Sequence, residues 1–205
     1  MMGFGLLSVV VAAFFLSRQR DVKRMFAYSS IEHMGIMTFA FGMGGAIANF
    51  AGLLHMTVHS LVKSAIFFTV GHATQHAGTQ VMEDIRGLAK ASPTVGWGLM
   101  LGTLAILGLP PFGVFASEFL ILTTAMREHA WATPILLVAL GVAFAAVFGR
   151  VQSMVSGDSP GGATFRDPPA LVPVFVHMAL ALLLGLYIPP SLAAWYTQAA
   201  KLLGG

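Results

Sequence analysis

The chain has 205 residues, 57% of them hydrophobic and only 9% charged, with a mean hydropathy of +0.81. A soluble domain carries roughly 25% charged residues, so this chain cannot dress a surface for water, and lipid must cover much of it. The net charge is +3 with no basic run interleaved with aromatics, which excludes nucleic acid as a partner; the lack of any cysteine excludes disulfides, thiolate metal sites, iron–sulfur ligation and cysteine nucleophiles.

Six apolar units follow in order, near 2–17, 25–45, 48–73, 94–111, 113–151 and 170–190. A span needs about 20 apolar residues, so the pattern predicts an all-α, polytopic transmembrane bundle of about six spans. The first unit has no basic start and no small-residue cleavage site, so it reads as a span and not as a secretory signal. Its shortness points to further sequence upstream. Basic residues Arg18, Arg20, Lys23 and Arg24 precede the second unit, which carries Glu32 and His33. The GMGG at 42–45 follows no strand and opens no helix with lysine, so it is not a phosphate loop. The third unit carries His55, His59 and Lys63. In the fourth, Gly98 and Gly102 form a G-x-x-x-G suited to close helix packing.

The fifth unit is too long for one straight span and is interrupted by Arg127-Glu128-His129. Loop charge chooses between one crossing and two. As a single crossing with a break at 127–129, it leaves Arg18, Arg20, Lys23, Arg24, Arg86, Lys90, Arg150 and Arg166 on one side and only Lys201 on the other, as the positive-inside rule requires. The expectation is therefore one broken helix. Residues 152–169 read as a surface linker before the last helix, within a single transmembrane domain spanning 1–205. No cofactor motif stands out, so neither a cofactor nor a catalytic residue is expected.

A charge at mid-bilayer costs from about 2.5 kcal/mol upward. Lys63 lies ten residues or more from either end of its unit, and a lysine stem cannot snorkel across roughly 15 Å of helix. It must face a polar interior. His55, His59 and Lys63 are spaced i, i+4, i+8. Each step of four turns the face by only about 40°, so the three line one stripe with about 6 Å between neighbours. Imidazoles titrate near neutrality, and such a line can pass protons through intervening water. A metal is not expected: no Glu follows the first His, no third ligand is near, and Lys63 would repel a cation. Glu118 sits among apolar residues and reads either as an interfacial carboxylate or as a protonatable group of the same path. Arg127, Glu128 and His129 either supply polar groups to the break or merely cap it. Glu32 and His33 divide between a path and an interfacial role.

Three phrases, DVKRMFAYSSIEHMGI (21–36), LLHMTVHSLVKSAIFFTVGH (53–72) and LGLPPFGVFASEFLIL (107–122), resemble the proton-antiporter-like membrane subunits. That family covers the antiporter-like subunits of respiratory complex I, the Mrp-type cation/proton antiporters and the membrane subunits of energy-conserving nickel–iron hydrogenases. The stretch IEHMGIMTFAFGMGGAIANFAGLLHM is most similar to the hydrogenase-4 component F type, in a formate hydrogenlyase-like complex. The resemblance implies that Lys63 is the central lysine of the second of two inverted half-repeats. It implies that Glu118 takes the place of the charged residue on the broken helix, that Lys23 is the basic residue of the D-x-K-R phrase, and that His55 and His59 link the axis to the lysine. Since members usually have about fourteen helices, it also implies a C-terminal portion. The expected role is a non-catalytic, proton-translocating subunit of an oxidoreductase complex of hydrogenase or NADH dehydrogenase type, multi-pass in a bacterial inner membrane. Its partners would be the lipid bilayer, other membrane subunits and protons. The rival readings are an Mrp-type cation/proton antiporter subunit and a purely structural membrane anchor.

Overall fold

A computed structural model describes residues 1–158 and 171–204. Its first hairpin pairs α1 (Met2–Leu16) with α2 (Val22–Met43). Glycine explains how closely they meet. A Cβ on Gly35 would stand 2.9 Å from the Gly5 carbonyl and 2.9 Å from a Val9 methyl, and one on Gly42 would strike the Met2 backbone. Gly35→Val is expected to cost about 1–3 kcal/mol through overpacking, read as a lowered unfolding midpoint in detergent. Asp21 caps α2 by accepting from the Arg24 amide at 3.0 Å.

Positive φ at Gly44 and Gly45 (73° and 78°) turns the chain into α3 (Gly45–Ala77), which at 33 residues is about 50 Å long. An isolated antiparallel bridge then ties the segment after α3 to the α1–α2 turn, with Val22 N–H donating to Gln80 at 3.0 Å and Met82 N–H to Arg20 at 2.9 Å. The Arg150 guanidinium donates to the Ser17 carbonyl at 2.6 Å. Arg18, Arg20, Lys23, Arg24, Arg86 and Arg150 therefore gather at one end of the bundle, the sidedness expected from loop charge. Arg166 and residues 159–169 of the expected linker lie outside the described residues; 152–156 belong to a helix.

After a single turn, α4 (Leu88–Ala91), come α5 (Pro93–Ile106) and α6 (Gly113–Glu128). These two lie end to end along α3. Gly98 faces Thr69, Gly102 faces Ile66, Gly113 faces Val58, and Ser117 bonds His55. This corrects the position of the broken crossing. The break is at 107–112, between the fourth unit and the first half of the fifth. Proline explains it: Pro110 and Pro111 have no N–H, so the carbonyls of Ile106 and Leu107 lose their helical donors. Arg127 and Glu128 are exposed and His129 is half-buried at the far end of α6, where the chain turns into α7 (Ala132–Ser156). The polar trio thus joins two crossings and does not interrupt one. The former fourth and fifth units therefore share their residues differently, with α5 and α6 forming one broken stretch before α7.

By length and composition, α3 and α7 can each cross a membrane alone. The helices α8 (Val172–Leu186) and α9 (Pro190–Leu202) qualify as one pair bent by 75°. Phe4 and Leu7 of α1, Phe119 of α6 and Val138 of α7 point outward, as lipid-facing side chains do.

Candidate functional site

Five ionisable side chains from α2 and α3 are buried together: Glu32, His33, His55, His59 and Lys63. Helical period places them. His55, His59 and Lys63 share the α3 stripe that faces α2, and Glu32 and His33 lie on the buried side of α2. The Lys63 ammonium donates to the Phe26 carbonyl at 2.8 Å and stands 5.4 Å from the centre of the Phe26 ring. That carbonyl also accepts from the Ser30 hydroxyl at 3.2 Å. Glu32 and Lys63 lie within electrostatic range of one another, as do Glu32 and Glu118.

The three imidazoles form a cluster, with ring centres 5.0 Å apart for His33–His59, 5.2 Å for His33–His55 and 6.2 Å for His55–His59. His33 Nδ1 and His55 Nε2 are 3.0 Å apart, and the other nitrogen of His55 is 2.9 Å from Ser117 Oγ. His33 Nδ1 also lies 3.7 Å from Glu118 Oε1. The break serves this cluster directly. The orphan Ile106 carbonyl meets the His33 ring, and a Cβ at Gly108 would strike the Glu118 carboxylate. Gly108, with φ at 66°, both makes the turn and leaves room for that carboxylate.

Among the described residues, His59 Nδ1 has no hydrogen-bond partner. A hollow of about 580 Å³, lined by Met34, His59, Ser60, Lys63, Ser64 and Phe67, opens from His59 and Lys63 to the outside of α3. A buried polar atom beside a polar opening is a place for ordered water. The histidines also have the make-up of a cation site, since their ligand atoms all lie within 4.8 Å of one another. Contrary to the expectation from sequence that no third ligand is near, α2 supplies His33. Lys63 beside them still opposes a cation.

Lys23 is not in the cluster. It is exposed one turn before Phe26 and lines a separate surface hollow with Thr74 and Gln75. Arg127, Glu128 and His129 are remote from it, as described above. Sequence reasoning missed Ser117, the Phe26 and Ile106 carbonyls, and Gly108. Ser117 adjoins Glu118, and the double proline marks the orphan carbonyl, so two of these were open to a closer reading; the Phe26 carbonyl leaves no mark in sequence.

The site joins a buried lysine, a histidine cluster, two carboxylates and a proline-broken helix that carries the second of them. The family described as NADH:quinone oxidoreductase/Mrp antiporter, TM, matches residues 1–148. The chain belongs to this antiporter-like membrane family. Its fold is the helical, membrane-embedded one of that family. A hydrogenase-4 component F homolog from Methylacidiphilum infernorum (isolate V4) is 48% identical over 199 residues, covering 97% of this chain and 42% of that protein. A chain of the membrane-bound sulfane sulfur reductase, an archaeal respiratory membrane complex, superposes with a TM-score of 0.88 at 29% identity, covering 98% of this chain and 41% of that one. A chain of respiratory complex I from Thermus thermophilus gives a TM-score of 0.84 at 25% identity, covering 98% and 44%. The chain thus spans about two fifths of the length of these antiporter-like relatives.

Loss of the Ser117 hydroxyl should disturb the cluster modestly. Ser117→Ala removes one buried bond worth about 1 kcal/mol, and it should lower the unfolding midpoint in detergent slightly without changing the yield of the subunit in the membrane.

Proposed function

We propose that the chain is a proton-translocating part of a redox-driven membrane complex of hydrogenase or NADH dehydrogenase type, seated in a bacterial inner membrane. It carries no redox chemistry itself; electron transfer elsewhere in the complex would change the hydration and charge of this axis. The path runs from Lys63 through Glu32 and His59 to His33, and from there to His55 and Glu118. The single observation that carries the reading is the His33 Nδ1 position, 3.0 Å from His55 and 3.7 Å from Glu118 inside a buried cluster.

This geometry has two hydrogen-bond polarities. In one, Ser117 donates to His55 Nδ1 and His55 Nε2–H donates to His33. In the other, His55 Nδ1–H donates to Ser117, whose own hydroxyl turns to the Gly113 or Val114 carbonyl at 3.1 or 2.9 Å, and His55 Nε2 accepts from His33. The two differ in the tautomer of His55 and in the proton on His33 Nδ1. A proton delivered to His55 Nδ1 from the Ser117 side, with the Nε2 proton released to His33 Nδ1, converts the first into the second. The 3.7 Å step to Glu118 is closed by a bridging water or a small approach.

Similarity to a hydrogenase-4 component and to a chain of an archaeal respiratory complex favours redox coupling over the Mrp-type reading. The test uses the assembled complex in proteoliposomes, with a pH-sensitive dye reporting proton uptake during turnover. His33→Leu should lower uptake by about tenfold or more, the smaller end of what a positioned proton-transfer group contributes being about a hundredfold, while subunit content stays the same. Undiminished uptake in that variant would reduce the cluster to a structural anchor. Sodium-gradient dissipation without any redox substrate would favour the Mrp-type antiporter instead.

A further inference from the structure

We propose that the arginine-rich end of α1 and α7 binds an anionic phospholipid, with its phosphate held by Arg18, Arg20 and Arg150 and an acyl chain laid between the two helices. A hollow of about 440 Å³ opens at that end, lined by the three arginines, Ser17, Gln19 and Glu83 among others. Three guanidinium groups face one carboxylate, so the hollow keeps an excess of two positive charges. Among the described residues neither Arg18 nor Arg20 forms an ion pair; Arg18 lies over the Phe14 ring, 4.8 Å from its centre. Arg150 is fixed by donating to the Ala146 carbonyl at 2.8 Å and the Ser17 carbonyl at 2.6 Å, contacts that hold the group without neutralising it. Guanidinium groups in such a cluster match phosphate oxygens in pairs.

A second hollow, about 540 Å³ and almost wholly apolar, runs between α1 and α7 past Val10, Ala13 and Phe14 on one wall and Pro134, Val138 and Val142 on the other. Ser17 borders both hollows. The charged pocket and the apolar groove are therefore one continuous feature, with about 10 Å of groove between Val10 and Ser17. Free phosphate would use only the first part, and a neutral lipid only the second. An anionic diacyl lipid uses both, and its depth is right, because the arginines stand where the positive-inside rule places the membrane surface. The proton path makes no use of any of these residues.

The test measures lipid retained by the full-length protein in its assembled complex after detergent exchange, by native mass spectrometry, with phosphatidylglycerol and phosphatidylcholine supplied equally. Phosphatidylglycerol should be retained about tenfold better, given the attraction that each surface arginine adds. Arg18→Gln combined with Arg20→Gln should abolish the preference, and Glu83→Gln should raise it. Val142→Trp, at a position 42% exposed that leaves the core intact, should block the groove and lower retention of phosphatidylglycerol. Inorganic phosphate in excess should not displace the lipid. Equal retention of the two lipids would overturn the proposal, as would an unchanged preference in the arginine variant, full retention in Val142→Trp, or displacement by phosphate.

Discussion

Lys63→Ala in the assembled complex is expected to lower proton translocation by about a hundredfold or more, the contribution of a positioned proton-transfer group, while the subunit remains folded and in place. The structural reason for survival is specific. The Phe26 carbonyl that loses the ammonium still accepts from Ser30, so no backbone group is orphaned. The functional reason for loss is equally specific: Lys63 is the cation within range of Glu32 and the polar end of the hollow that leads outward. Lys63→Arg separates charge from proton exchange. A guanidinium restores the positive charge but does not release its proton in proteins, so this variant should assemble well and still fail to translocate. Proton uptake per turnover, measured with the dye assay beside a count of assembled subunit, decides the matter. Wild-type uptake in the arginine variant would mean that Lys63 acts only as a fixed charge.

Gly108→Ala is expected to act on a residue it does not replace. The added methyl would meet the Glu118 carboxylate, and the backbone there has φ at 66°, which costs an L residue about 1–2 kcal/mol. Glu118 must then leave its place 3.7 Å from His33. Uptake should fall by about tenfold or more, on the scale of a lost proton-transfer partner, and the double variant with Glu118→Gln should be no slower than the slower single one, because both act through one contact. Fully multiplicative losses would instead show that Gly108 serves the helix break alone.

Much of this arrangement was legible in the sequence. Helical spacing put His55, His59 and Lys63 on one stripe, and loop charge put the arginines on one side. Both readings use repeats along the chain that the backbone period converts directly into direction. The break does not lie at the run of charge, because hydrogen-bond supply decides it: two prolines remove two donors at 110 and 111, while Arg127 and Glu128 are exposed at a helix end. His33 reads as a path candidate in the sequence, but its place beside His55 does not show there, for another reason. His33 is 22 residues from His55, and only the α2–α3 hairpin brings the two together.

The broken crossing does not stand alone. Gly185 near the end of α8 packs against Pro111, Phe112 and Gly113 at the break, and a few residues later the chain bends by 75° into α9. Two interruptions therefore share one depth, back to back. Above that level lie α5 and α8, below it α6 and α9, and α3 runs past both as a single post, with Val58 against Gly113 at the seam. His55 and His59 flank Val58. Any sliding or tilting of the lower pair of half-helices against the upper pair would be concentrated at this seam, and it would carry Ser117 and Glu118 relative to His55 and His59 on the post and to His33 on α2. A displacement of well under the length of a side chain there would open or close the 3.7 Å gap between His33 and Glu118, so the seam lies at a contact that the proposed proton path would use.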